Sequence, residues 1–293
     1  MRVVGWEDWR FYWPKEFYEF WRYPNKGENG RAVNIRPAAK SARIVCRRVE
    51  PFGEIEKNMW ENLWAHIIMS RHELTEYDSI AEKRSRVRWV CEKAVVKDAV
   101  RAWIRDQNAR DLYPADIEVT VVNGAVDVNG YWSKDIKARL NVSVASDGPV
   151  SVAAVGNCDV GVEIESVIHW EGGFEATRLQ QRDRELVAEQ KTLERDEWLT
   201  RLWCAKKAAA KMLGLKVEVP ADLGGHDLSL HATALRRPPL QSLIGEHIDE
   251  RSGEIVFTRT SSTGAGSSRL AVSTVRDGDY IIALAFREDH DRS

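Results

Sequence analysis

Segments with helical periodicity and segments with strand-like alternation follow one another in the same order twice along the chain. Apolar residues at helical spacing predict the helices, and alternation of apolar and polar residues after them predicts strands. Asn-Gly at 123–124 and Asp-Gly at 147–148 and 277–278 are typical of hairpin turns. The order predicts an α+β fold with helices packed against antiparallel sheets. The predicted helices are 54–70, 79–107, 181–190 and 195–213, and the predicted strands are 42–49, 117–122, 125–128, 140–145, 150–155, 160–167, 227–235, 254–259, 269–275 and 280–286.

The same pattern divides the chain into three parts. Residues 1–43 form an N-terminal extension with four tryptophans in its first 21 positions, which is much apolar area for a free tail. We therefore expect it to pack on the rest of the chain or on a partner. Residues 44–156 are predicted to form an N-terminal lobe, and residues 157–288 a C-terminal lobe.

Composition excludes several classes of protein. The net charge is −2, and the basic stretch 31–48 lacks the interleaved aromatic residues of a nucleic-acid binder, so no nucleic-acid partner is expected. Four widely spaced cysteines without a CxxC pair predict a reduced, cytoplasmic protein with neither a disulfide framework nor a zinc site. No uncharged run reaches about 18 residues, so no membrane span is expected.

The segment GVEIE (161–165) places two carboxylates on one face of a strand. Because side chains alternate, Glu163 and Glu165 share that face with Asp159, while Val162 and Ile164 enter the core. Ionising neighbouring carboxylates costs free energy unless a cation faces them. Mg²⁺, which proteins bind through one or two carboxylates together with substrate phosphates, is the cation that such a site suits. A solvated strand face is the alternative interpretation.

The helix at 198–213 carries Lys207 and Lys211 four residues apart, with Lys206 beside them. A like-charged pair at this spacing costs an isolated helix about 0.2–0.5 kcal/mol, which an acidic site or a phosphate facing the helix would offset. The alternative is an exposed basic face. A nucleophilic role for Cys204 is disfavoured, because no histidine lies near it in sequence and buried structural cysteines are more common.

Two further features could bind phosphate groups. Lys93, Lys97 and Arg101 recur every four residues on one edge of a predicted helix, which suits a polyphosphate ligand but is also typical of a solvated face. Ser143 and Ser146 lie near the end of a predicted strand, where hydroxyl groups could bind a phosphate. Serines are common at such positions.

Taken in order, these segments resemble the Sfp-type 4′-phosphopantetheinyl transferases over about residues 55–288. Those enzymes use Mg²⁺ to move phosphopantetheine from coenzyme A to a serine of a carrier protein. The family motifs are a GRxAxK-like helix, a serine–histidine strand end, a GxDxE strand and a WxxKExxxK helix. The corresponding segments here are WVCEKAVVKDAVR (89–101), NVSVAS (141–146), GVEIE (161–165) and WCAKKAAAK (203–211), and YPADIEV (113–119) is also similar to the family.

The resemblance implies a fold, a set of site residues and a partner. The fold would be a pseudo-twofold pair of lobes with coenzyme A between them, and the partner a carrier protein or domain of a polyketide or fatty-acid synthase. The extension 1–43 is similar to the end of dehydratase regions in such synthases. The implied metal ligands are Glu163 and Glu165, the implied catalytic residues are Lys207 and Lys211, and the implied coenzyme A contacts are Lys93, Lys97, Arg101, Ser143, Ser146 and Lys206.

Four positions depart from the family pattern. Glu163 replaces the first metal-binding aspartate, and Lys207 replaces a glutamate that serves as a third metal ligand and has been assigned as the general base. Ala145 replaces a histidine that binds coenzyme A, and Lys93 replaces an arginine. Lys207 cannot bind Mg²⁺ while protonated, and its ammonium could instead lie between the two glutamates. Two functions therefore stay open: a Mg²⁺-dependent transferase of polyketide or fatty-acid biosynthesis with weakened or lost metal binding, or an impaired or inactive module that binds a carrier protein, coenzyme A or a synthase partner.

Overall fold

The computed structural model describes most of the chain beyond residue 43. The described residues are 44–49, 60–108, 112–122, 125–135, 140–170, 179, 181–189, 195–214, 230–236, 252–260 and 267–287. The predicted extension 1–43 and the predicted turn at 123–124 lie outside them. None of the described helices is both long enough and apolar enough to cross a membrane.

Three helices and five strands lie in the part of the first half that the structure describes. Two short 3₁₀ helices, Pro114–Asp116 and Tyr131–Asp135, join its strands to the rest. The elements in chain order are β1 (Ile44–Val49), α1 (Trp60–Ile68), α2 (Arg71–Ser79), α3 (Lys83–Asn108), β2 (Glu118–Val122), β3 (Ala125–Asn129), β4 (Asn141–Asp147) and β5 (Val150–Gly156).

The helix boundaries in this half correct the sequence prediction. The segment predicted as two helices, 54–70 and 79–107, contains a separate helix, α2, between them. Ser70 begins it: the Ser70 hydroxyl accepts from the backbone N–H of Glu73, and the Glu73 carboxylate accepts from the N–H of Ser70 at 2.8 Å. This reciprocal capping box fixes a helix start that apolar periodicity alone does not reveal.

Among its described residues, the second half has two helices and five strands. They are β6 (Asp159–Ser166), α4 (Gln181–Ala188), α5 (Arg195–Met212), β7 (Leu230–Arg236), β8 (Ser252–Thr260), β9 (Ser267–Asp277) and β10 (Tyr280–Arg287). The turns at Gly148 and Gly278 connect β4 to β5 and β9 to β10, and both glycines have positive φ, as the predicted hairpins require.

Every strand pairing in the described residues is antiparallel. The three sheets have the orders β1-β5-β4, β6-β10-β9-β8-β7 and β2-β3. The predicted α+β class is therefore confirmed. Strands β4 and β6 contact each other although they share no ladder. The hydroxyl of Ser143 accepts from Val162 N at 3.0 Å, and the carboxylate of Asp147 accepts from Ser166 N at 2.5 Å.

The core is organised around α3 in the first half and α5 in the second. Helix α3 packs on β1 and β5, and α5 packs on β6 and β10. A third apolar cluster, which includes Val152, Val162 and Leu284, joins the two larger sheets. Helix α5 buries an apolar stripe at helical spacing, whose members are Trp198, Leu202, Ala205, Ala209 and Met212.

Candidate active site

Strand β6 presents two carboxylates to helix α5. Its alternation is as predicted: Val162 and Ile164 lie in the apolar cluster between the sheets, while Glu163 and Glu165 point to the other side. Glu163 is 5% exposed and Glu165 is half-buried. Asp159, the third acid predicted for this face, pairs instead with Arg287 at the end of β10.

Gly161 lets α5 approach β6 closely. A Cβ atom at this position would lie 2.0 Å from Ala208 O and 2.6 Å from Met212 N, both backbone atoms of α5. No side chain fits there without separating the strand from the helix. The glycine of GVEIE therefore sets the distance at which the lysines of α5 meet the carboxylates of β6.

The ammonium of Lys207 lies between the two glutamates. Its Nζ is 3.2 Å from Glu163 Oε1 and forms a short hydrogen bond with Glu165 Oε1. The side chain also passes the ring of Trp203, with Nζ 5.7 Å from the ring centroid. Burial opposes the charged form, but the negative charges of Glu163 and Glu165 outweigh burial and raise the pKa of Lys207. Lys207 is therefore a stably charged cation at neutral pH.

Lys211 binds the other oxygen of Glu163 and reaches across to the first half of the chain. Its Nζ is 2.8 Å from Glu163 Oε2 and donates to Val144 O on β4 at 2.9 Å. The side chain is 34% exposed, more than those of Lys207, Glu163 and Glu165. Lys211 is thus the group of this cluster best placed to meet a ligand at the contact between β4 and β6.

The carboxylates do not fit Mg²⁺ in this arrangement. Three of the four oxygens of Glu163 and Glu165 are paired with ammonium groups, and two lysines balance the charge of two glutamates. Mg²⁺ binds at about 2.0–2.1 Å in near-ideal octahedral geometry, which these contacts exclude. Among the residues that the structure describes, no group of three or more His, Cys, Asp and Glu side chains is arranged to hold a metal ion.

Cys204 is enclosed in the core beside this cluster. Its Sγ donates to Ile281 O at 3.4 Å, and burial raises the pKa of the thiol well above its ordinary value. Since the thiolate is the reactive form, the geometry agrees with the interpretation of Cys204 as a structural residue.

Lys97, predicted to contact coenzyme A, is fully buried in the first half. Its Nζ donates to Glu73 Oε2 at 2.5 Å, Ile68 O at 2.8 Å and Pro114 O at 3.1 Å. Three donors thus meet three acceptors of the chain itself. In this conformation Lys97 touches no solvent-accessible surface, so it could act on a ligand only through other groups.

Lys93 and Arg101 flank Lys97 on the same edge of α3. Lys93 is buried, forms a short hydrogen bond with Val119 O and lies 4.8 Å from the ring centroid of Trp89. Arg101 is half-buried and its Nε donates to Leu112 O at 2.6 Å. The predicted cationic edge exists, but in this structure its groups bind oxygens of the chain.

Three other predicted coenzyme A contacts also have partners within the chain. Lys206 forms a buried ion pair with Asp183 of α4, and Ser143 binds the backbone of β6 as described above. The hydroxyls of Ser146 and Ser151 lie 2.8 Å apart. Ala145 is buried among apolar residues, so the position of the family histidine offers no polar group. The roles of all six predicted contacts toward coenzyme A stay predictions.

A cavity of about 240 Å³ lies in the first half, next to the charged cluster. Val144 connects the two, because it lines the cavity and its carbonyl accepts from Lys211. The lining residues are Glu76, Trp89, Glu92, Lys93, Val96, Val119, Val121, Val126 and Val144. The cavity offers one aromatic ring, several aliphatic side chains and both signs of charge.

Sequence reasoning missed the buried acids Glu73 and Asp183. Glu73 accepts from Lys97 and from Val119 N at 3.0 Å, and Asp183 neutralises Lys206. For Glu73 a signal was present, since Ser70 and Glu73 have the spacing of a capping box. For Asp183 the sequence offers no comparable signal.

The fold and the site define an α+β protein with a paired cluster of acidic and basic side chains where a strand meets the central helix of its second half. Residues 159–285, from β6 through nearly all of β10, match the family model of the 4′-phosphopantetheinyl transferase superfamily. This match supports a transferase and includes Glu163, Glu165, Lys207 and Lys211. No curated protein matches the chain. The Sfp-type subgroup and the association with polyketide synthases stay predictions.

Proposed function

We propose that this protein is a 4′-phosphopantetheinyl transferase that moves phosphopantetheine from coenzyme A to a serine of a carrier protein. The observation that carries the proposal is the match of residues 159–285 over the segment that holds the paired acidic and basic cluster. A carrier protein or domain of a polyketide or fatty-acid synthase is the proposed acceptor, on the motif resemblance. The proposal uses no metal, because the carboxylates of β6 are already paired.

Lys211 is the proposed catalytic residue. In the transfer, a bond forms between the serine oxygen and the phosphorus of phosphopantetheine while the bond from that phosphorus to the bridging pyrophosphate oxygen breaks. Adenosine 3′,5′-bisphosphate leaves with the electron pair of that bond, and the serine proton passes to solvent water. Negative charge concentrates on the pyrophosphate oxygens as the leaving group departs. A partly exposed ammonium fixed by Glu163 at 2.8 Å can stabilise that charge without reorganising.

The cavity beside Val144 supports the proposed binding of coenzyme A. It gives part of coenzyme A an apolar and aromatic surface next to Lys211, and Lys93 supplies a cation at its wall. Pockets of this kind combine apolar lining with a few oriented polar groups. A Trp89→Ala variant should weaken coenzyme A binding in isothermal titration while leaving the Lys211 cluster intact.

The test is transfer of label from fluorescent coenzyme A to apo carrier proteins. We expect labelling by the unaltered protein and a roughly 10²–10³-fold slower rate for Lys211→Met. Lys134→Met is the matched control, since Lys134 is exposed and outside the cluster. Labelling by Lys211→Met at the unaltered rate would contradict the proposed role of Lys211.

A second candidate function is a non-catalytic module that binds a carrier protein or coenzyme A. It is favoured by one observation, the pairing of Lys207 with both carboxylates, which leaves Glu163 and Glu165 without a free anionic pair. Coenzyme A binding without label transfer to any of a panel of apo carrier proteins would support this module and overturn the transferase.

A further inference from the structure

On the acidic face of β6, the ammonium of Lys207 lies between the two carboxylates. Lys207 Nζ contacts both carboxylates, at 3.2 Å from Glu163 and by a short hydrogen bond to Glu165. One ammonium therefore bridges the two groups that a metal ion would otherwise bridge. Lys211 takes the remaining oxygen of Glu163 at 2.8 Å.

The charges of this cluster balance without any ion from solution. The four side chains of the cluster, two carboxylates and two ammonium groups, carry no net charge with which to attract a divalent cation, and the nearby carboxylate of Asp147 accepts from the backbone N–H of Ser166. A metal ion placed between the carboxylates would also lie within a few ångströms of Lys207, and like charges at that distance repel strongly in a buried site. Binding a metal therefore requires Lys207 to leave.

The packing keeps Lys207 in place. The side chain extends from the central helix α5, is 18% exposed and lies over the ring of Trp203. Helix α5 is itself held close to β6, because Gly161 leaves no side chain between them. Moving Lys207 into solvent would leave Glu165 without its ammonium partner in a half-buried position, at a cost in desolvation.

We propose that Lys207 is a built-in cation that replaces the divalent metal, so that the acidic pair of β6 does not bind Mg²⁺ and the site handles coenzyme A without it. The statement about metal stands on the ion cluster alone, whereas the statement about coenzyme A rests on the proposed function. The ammonium is covalently attached and always present, so the site needs no metal loading.

The first experiment measures metal binding directly. Mg²⁺ is titrated into the unaltered protein, Lys207→Glu and Lys134→Glu, and heat of binding and melting temperature are recorded. We expect neither binding nor a shift for the unaltered protein and for Lys134→Glu, which makes the same charge change at an exposed position. For Lys207→Glu we expect a lower melting temperature that Mg²⁺ at about 100 times its Kd raises by about 5–10 °C.

The unaltered protein alone can overturn the inference, even where Lys207→Glu does not fold. Saturable Mg²⁺ binding with a rise in its melting temperature would show that Lys207 yields to metal. Lys207→Met is the second variant: it removes the cation without adding an acid, and we expect it to bind Mg²⁺ more weakly than Lys207→Glu but measurably. A folded Lys207→Met protein that shows neither heat of Mg²⁺ binding nor a shift in melting temperature with Mg²⁺ would also contradict the inference.

The second experiment separates this inference from the proposed function. Coenzyme A is titrated into the unaltered protein in Mg²⁺ and in EDTA, and we expect less than a twofold change in Kd. A tenfold tighter Kd in Mg²⁺, or label transfer that EDTA abolishes, would overturn the built-in cation and leave the transferase standing. Absence of transfer with no Mg²⁺ binding would overturn the transferase and leave the built-in cation standing.

Discussion

Replacing Lys97 by methionine tests whether the basic edge of α3 stabilises the folded protein or binds a ligand. The Lys97 side chain is 0% exposed and that of its partner Glu73 is 1% exposed. The distance from Lys97 Nζ to Glu73 Oε2 is 2.5 Å. Removing one partner of a buried ion pair costs about 3–5 kcal/mol, because an uncompensated charge stays inside the protein. The carbonyls of Ile68 and Pro114 would also lose their donor.

The remaining contacts of Glu73 limit the cost. Its carboxylate still accepts from the N–H groups of Ser70 at 2.8 Å and Val119 at 3.0 Å, and Lys93 lies 3.9 Å away. The lower end of the range, about 3 kcal/mol, is therefore the expected loss for Lys97→Met. For a chain of this size that corresponds to a fall in melting temperature of about 6–12 °C.

The assay is equilibrium unfolding by denaturant and by heat. Lys134→Met, at an exposed position, is the control and should stay within about 0.5 kcal/mol of the unaltered protein. The double variant Lys97→Met with Glu73→Gln removes the orphaned charge and should recover part of the loss. A Lys97→Met protein with unchanged unfolding but lost coenzyme A binding would refute the structural role and restore the contact predicted from the sequence.

Three further predictions follow from single residues. Gly161→Ala should lower the free energy of unfolding, measured with denaturant, by about 3 kcal/mol, because its Cβ would meet Ala208 O at 2.0 Å. An unchanged unfolding midpoint would contradict the packing of α5 on β6. Burial opposes the charged form of Glu197, but its ion pairs with Arg201 and Arg276 hold its pKa below the ordinary value of a glutamate. The stabilisation from these ion pairs is therefore present above the ordinary glutamate pKa and is lost as the pH falls through the lowered pKa. Glu197→Gln should make the melting temperature less dependent on pH in that acidic range, and an unaltered pH profile would argue against these ion pairs. Cys204 should resist thiol reagents until the protein unfolds, and labelling in the native state would disprove its burial.

Local patterns made most of the fold predictable. Alternation marked β6, and the Asp-Gly turns marked two hairpins, because each depends on neighbouring residues only. The capping box that starts α2 was equally local, with Ser70 and Glu73 three residues apart, but apolar periodicity concealed it by suggesting two longer helices instead. Such errors come from weighing one local signal above another.

The partners of the buried lysines could not be predicted from local patterns. Lys97 pairs with Glu73, and Lys206 pairs with Asp183, each across more than twenty residues of chain. The sequence contains many other acidic residues that local patterns do not distinguish from these two. A basic stripe on a helix is consistent with a ligand, with solvent or with buried acids, because the stripe specifies charge and not what faces it. The packing of α2 and α4 places buried acids opposite the lysines, and this arrangement follows from the tertiary structure and not from the stripe itself.

The cluster on β6 shows why a family match and a reaction can separate. The segment 159–285 keeps its fold through Gly161 and the apolar stripe of α5, and these set where charged groups meet. The chemistry depends instead on the sum of those charges, which one residue changes: a glutamate in place of Lys207 would make three acids face one lysine, Lys211. The packing of α5 on β6 would change little. The affinity for a divalent cation would rise strongly, because a negative charge would replace a positive charge beside Glu163 and Glu165. The melting temperature of Lys207→Glu with and without Mg²⁺ therefore reports the chemistry of this site separately from its fold.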